Sequence, residues 1–142
     1  MDAEMKMYPQ PASIPVKNRE WLNHELTKSP IWCSVDLRDG NQALPMPMNP
    51  EKKFEYFKLL CQIGFKEIEV SFPSASQDDF EFVRELIERR EIPSDVRISV
   101  LTQAREPLIR RTVESLGGLD KGILHLYIAT SDLHEKIVFN KT

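Results

Sequence analysis

The feature that most constrains the fold of this chain is an alternation of two hydrophobic periods. After Pro30, short segments patterned at every second residue alternate with longer ones patterned at about 3.6 residues per turn. The pattern predicts strands at Ile31–Leu37, Lys66–Phe72, Val96–Leu101 and Gly122–Tyr127. Between them it predicts helices starting at Asn49-Pro50 and ending at Gly64, over Ser76–Arg90 and over Arg105–Leu116, with a fourth starting near Ser131-Asp132. Asn49 has the short polar side chain of an N-cap, Pro50 suits the first helical position, and Gly64 suits a helix stop. Strands recur roughly every 30 residues, the length of a βαβ unit, which calls for a parallel sheet with right-handed crossovers. Residues 1–30 hold Pro9, Pro11, Pro15 and Pro30 and little periodicity. They read as an irregular N-terminal arm, anchored by Trp21 and Leu22, ahead of a domain at 31–142.

The strands also show which kind of α/β sheet to expect. One phase holds Val35, Ile68, Val70, Ile98, Val100, Leu124 and Leu126; the other holds Ser34, Asp36, Glu67, Glu69, Ser71, Arg97, Ser99 and His125. Strands of an open doubly wound sheet are covered on both faces and tend to be apolar throughout. An apolar outer face with a polar lumen is the pattern of a (β/α)₈ barrel. The remaining alternative is a sheet with one face in water. A full barrel takes eight strands and about 250 residues. These 142 residues supply four strands, so the expectation is the N-terminal half of a TIM barrel, about four βα units, from a longer protein.

Composition narrows the function classes. A formal charge of −3 and a pI near 5.7 give no basic field for a nucleic-acid backbone. No apolar run approaches the roughly 20 residues that span a bilayer. The start, MDAEMKMYPQ, lacks the apolar core of a signal peptide. Cys33 and Cys61 have no metal-ligand spacing and are expected to be buried apolar residues in a reducing, cytoplasmic setting.

The densest polar cluster, Asp36-Leu37-Arg38-Asp39-Gly40-Asn41-Gln42, follows the first strand, where barrel enzymes build their sites. Asp39 is a hard oxygen donor suited to Mg²⁺, Mn²⁺ or Zn²⁺. Arg38 offers a permanent charge and a fork of donors for a carboxylate or an enolate oxygen. On residue types alone, a solvated turn with an internal Asp–Arg pair is an equal reading. His125 and Glu69 fall in the polar phase near strand ends. On residue types alone His125 reads first as a core histidine satisfied by a neighbour, and Glu67 or Glu69 could simply pair with Arg97 in the lumen.

In chain order, WCSVDLRDGNQAL, GFKEIEVSFPSASQDDF, VLTQARE and HLYIATSD resemble the 2-isopropylmalate synthase family, in its longer-chain class, from about Arg19 to Thr142. The RDG element alone belongs to a wider superfamily that includes homocitrate synthase, citramalate synthase and hydroxymethylglutaryl-CoA lyase. The stretch GFKEIEVSFPSASQ favours the isopropylmalate branch. The resemblance implies a metal-dependent condensation of acetyl-CoA with 2-oxoisovalerate to 2-isopropylmalate, in leucine biosynthesis, by a homodimeric acyltransferase. It implies Asp39 as a metal ligand, Arg38 as the catalytic charge, and His125 and Gln42 at the substrate, with Glu69 a candidate beside them. The family completes its metal site with an H-x-H motif on a later strand. Here the histidines are His24, His125 and His134, so this chain is expected to be inactive alone. Two alternatives stand beside it: a non-catalytic half-barrel that pairs with an intact synthase, or a homocitrate- or citramalate-type enzyme.

Overall fold

A computed structural model describes residues 28–139 and Lys17. The chain divides after Pro30, and every strand and helix described lies in the second unit. The expected arm, with Trp21, Leu22 and His24, lies outside the described residues. Four parallel strands, β1 (Cys33–Ser34), β2 (Glu67–Ser71), β3 (Arg97–Gln103) and β4 (Gly122–Tyr127), form one sheet in the order β1-β2-β3-β4. Between and after them run α1 (Pro50–Ile63), α2 (Gln77–Glu88), α3 (Glu106–Ser115) and α4 (Asp132–Ile137). None of these helices is long and apolar enough to cross a membrane.

The helix ends follow local chemistry. Asn49 Oδ1 accepts the Lys52 N–H at 2.9 Å, and Pro50 opens α1. Gly64 closes it at φ 108°, a left-handed conformation that costs glycine nothing. Ser76 caps α2 by accepting the Asp79 N–H. The far end of α2 is less well suited, because Arg90 sits at φ 55°. Arg90→Gly should therefore raise stability by about 0.5–1 kcal/mol. A urea midpoint that falls instead would contradict this.

The core lies on one face of the sheet. Ile68, Val70, Ile98 and Val100 are fully buried there against Phe54, Phe57 and Leu60 of α1 and Phe82, Val83 and Leu86 of α2. Phe54 and Phe82 meet edge to face with ring centroids 5.2 Å apart. The buried stripe of α2 is Phe82, Val83 and Leu86. Phe80 is half-buried beneath the Arg111 guanidinium, 3.6 Å from its ring centroid.

Three sequence expectations need correction. The strand Ile31–Leu37 shrinks to two residues and gives way to a π-helical turn, Asp36–Gly40. The Val35 carbonyl collects the N–H groups of Arg38, Asp39 and Gly40 at 3.2, 2.8 and 3.3 Å, while Ser34 Oγ donates to Asp36. These local bonds compete with the ladder. The phase of β1 is also opposite to the expected one: Ser34 pairs with Ile68 and is buried, while Val35 is exposed. Second, β2 carries a register shift between Glu69 and Ser71, so that Glu69 pairs with Ser99 but Ser71 pairs with Val100. Ser71 therefore leaves the polar face and donates to the Asp79 carbonyl of α2 at 2.9 Å. Third, Leu124 and Leu126 are on the helix-facing side but remain exposed, since β4 is the last strand described and α4 buries none of its residues.

Candidate active site

The polar face of the sheet gathers three side chains from three elements. Arg38 stands in the turn after β1, Glu69 at the middle of β2 and His125 in β4. Glu69 is 2% exposed and accepts two hydrogen bonds: Arg38 Nε donates to Oε1 at 2.7 Å, and His125 Nδ1 donates to Oε2 at 2.6 Å. A carboxylate is tolerated at that depth because both oxygens accept a hydrogen bond, one of them from the charged Arg38 guanidinium. Arg38 also donates from Nη1 to Asp39 Oδ1 at 2.8 Å. Among the described residues, no hydrogen bond uses Arg38 Nη2 or His125 Nε2. Fixing one ring nitrogen on Glu69 leaves the other for a ligand.

Arg38, Gln42 and His125 open onto a cleft of about 950 Å³ that also reaches Lys53 and Asp79 between α1 and α2. Gln42 is exposed there, and Asp39 stands outside the buried cluster with its side chain 65% exposed. The lumen pairing of Glu67 and Glu69 is also settled by geometry: Arg97 pairs with Glu67, and Glu69 belongs to Arg38 and His125. Asn41 is a residue that sequence reasoning missed. It is buried, and its Oδ1 accepts the Met48 N–H at 2.7 Å, pinning the loop that borders the cleft. An Asn directly after a turn glycine is a weak sequence signal for such a pin.

Of the polar side chains gathered here, Asp39 is the hard oxygen donor of a kind suited to a divalent cation. Asp39 offers Oδ2 toward solvent, but no group of three or more His, Cys, Asp or Glu side chains able to hold a metal exists among the described residues.

Cys33 and Cys61 are free thiols. The expectation that both are buried is not met: Cys61 is half-buried, and Cys33 is exposed on β1, the first strand of the sheet order. Partial desolvation, then the Glu69 and Glu67 carboxylates, push the Cys33 thiol above its ordinary value of 9.0. Its alkylation by iodoacetamide should therefore reach half-maximal rate above pH 9.0. A half-point below that of a free cysteine would show that the carboxylates do not act on the sulfur.

Comparison with known proteins gives this geometry a family. Residues 29–142 match the HMGL-like family, and the chain belongs to it. Its four parallel βα units are half of that family's barrel. Among named relatives, the chain is 56% identical to the 2-isopropylmalate synthase of Clostridium acetobutylicum over 128 residues, 90% of this chain and 23% of that protein. It is 59% identical to the same enzyme of Ralstonia pickettii over 135 residues, 95% of this chain and 24% of the relative. It is also 59% identical to that of Schizosaccharomyces pombe over 138 residues, 96% and 24% respectively. The chain thus spans about a quarter of the length of the curated relatives it matches.

Proposed function

We propose that this chain supplies the first part of the active-site rim of a 2-isopropylmalate synthase. That enzyme condenses acetyl-CoA with 2-oxoisovalerate in the cytoplasm, as a homodimer that takes a divalent cation. The observation that carries the reading is the Arg38–Glu69–His125 cluster at the cleft, in a chain more than half identical to enzymes of that name.

Glu69 holds the guanidinium and the imidazole in fixed orientations before any ligand arrives, so no ordering cost falls on the reacting state. Arg38 keeps its fork partly uncovered and stabilises negative charge growing on a ketone oxygen. His125 contacts the ketoacid through Nε2, and Gln42 lines the same cleft. The cation, when bound, polarises the ketone. Asp39 would provide one oxygen ligand to that cation, Mg²⁺, Mn²⁺ or Zn²⁺.

The test is a graft of residues 29–142 into the matching segment of the Clostridium acetobutylicum synthase. Metal-dependent thiol release with 2-oxoisovalerate should stay within about tenfold of the recipient enzyme, a difference of roughly 1.4 kcal/mol in barrier. A folded graft without turnover would sink the reading. The 142-residue chain alone should release no thiol above buffer, because one carboxylate seldom retains a divalent ion. Robust turnover by that chain would overturn the assignment of the metal to ligands elsewhere.

A further inference from the structure

Lys53 has no part in the chemistry of the Arg38–Glu69–His125 cluster, yet it is nearly as buried as Glu69. Its side chain is 8% exposed, its ammonium donates to Asp79 Oδ1 at 3.1 Å, and the charge lies 5.3 Å from the centroid of the Phe82 ring. Burying a lysine is costly unless its charge is paired. A solvated helix face could have carried the same residue freely. What the pair holds in place is therefore informative.

Asp79 is a junction. Its carboxylate takes Lys53 from α1 on Oδ1 and the Ser76 hydroxyl on Oδ2 at 3.0 Å. Its main-chain carbonyl takes the Ser71 hydroxyl at 2.9 Å. Ser71 lies just past the register shift of β2, and Glu69 lies just before it. Without the shift, Ser71 would share the face of Glu69. The Ser71–Asp79 bond is thus what ties the shifted end of β2 to the helix layer, and Lys53 fixes the helix residue to which it is tied.

We propose that the Lys53–Asp79 pair is a positioning device for Glu69. It locks the β2 bulge so that one carboxylate reaches both Arg38 and His125. Neither Lys53 nor Asp79 is a catalytic residue in this view. The inference rests on reading the Arg38–Glu69–His125 cluster as the reacting site. Its test reads the imidazole directly, so a failed synthase assay and a failed positioning test are separate results.

The experiment follows the ring nitrogens of His125 by ¹⁵N NMR in the 142-residue chain, with His125→Gln to assign the signals. Glu69→Gln sets the reference for a lost clamp, because its amide would donate to Nδ1 and move the ring proton to Nε2. Lys53→Met keeps a long side chain against Phe82 and removes the charge. Ser71→Ala removes one hydroxyl and orphans nothing, since the Asp79 carbonyl still lies within α2. Both should move the His125 signals at least halfway from wild type toward Glu69→Gln, and Lys53→Arg should restore them. A merely structural ion pair would lower the unfolding midpoint and leave the His125 signals of the folded protein unmoved, which overturns the proposal. Should Lys53→Met fail to fold, Ser71→Ala decides: unchanged His125 signals in that variant reject the device.

Discussion

Asp39→Ala in the grafted synthase should lower kcat/KM by at least about 100-fold, since even outer-shell partners of a bound metal are worth about 10–100-fold. The Asp39 side chain is 65% exposed and, among the described residues, bonds only to Arg38, so its removal should leave the fold intact. Manganese titration separates the causes. The variant should lose Mn²⁺ affinity in step with activity and keep its unfolding midpoint. Arg38→Lys gives the complementary result. A lysine keeps the charge but cannot reach Glu69 and Asp39 at once, and it loses the planar fork. Turnover should fall by about 10²–10³, as for deletion of one oxyanion donor, with metal affinity unchanged. Full activity in the Asp39→Ala graft would remove the aspartate from the metal site.

Most of the fold was legible because its signals are local. Asn49-Pro50, Gly64 and Ser76 end helices by chemistry confined to a few residues, and the structure places the ends of α1 and the start of α2 where those residues stand. The polar phase of β2 to β4 was legible for the same reason. Glu69, Ser99 and His125 do lie on the face away from the core. What the pattern could not show was a competition between local bonds and the ladder. Ser34 and Asp36 bond to each other, and the Val35 carbonyl captures three N–H groups, so β1 ends after two residues. The β2 bulge was hidden for a related reason. A period of two cannot register one extra residue, and the bond that holds it runs to α2, eight residues away. At the site, Arg38 and Asp39 were visible as a cluster. The partner of Glu69 was not, because Arg38, Arg97 and His125 are all suitable by residue type, and the turn after β1 together with the register of β2 and β4 on β3 chooses among them.

Glu69→Leu should be among the most damaging single changes to stability in this chain. The carboxylate is 2% exposed and the Arg38 side chain 18% exposed, so the substitution strands a largely desolvated guanidinium. Breaking such a pair by removing one partner costs about 3–5 kcal/mol. The lower end applies here, about 3 kcal/mol, because Arg38 keeps its bond to Asp39 and the half-exposed His125 can turn to water. Against a typical domain stability of about 5–15 kcal/mol, that is a large share. The double variant Arg38→Met, Glu69→Leu should recover much of the loss, since replacing both charges by apolar groups leaves nothing unpaired. Urea unfolding of the wild type, the two single variants and the double variant closes the cycle. A loss below about 1 kcal/mol for Glu69→Leu would mean that water, and not Glu69, solvates Arg38. A double variant no more stable than Glu69→Leu alone would place the cost in packing around residue 69 instead of in the stranded charge.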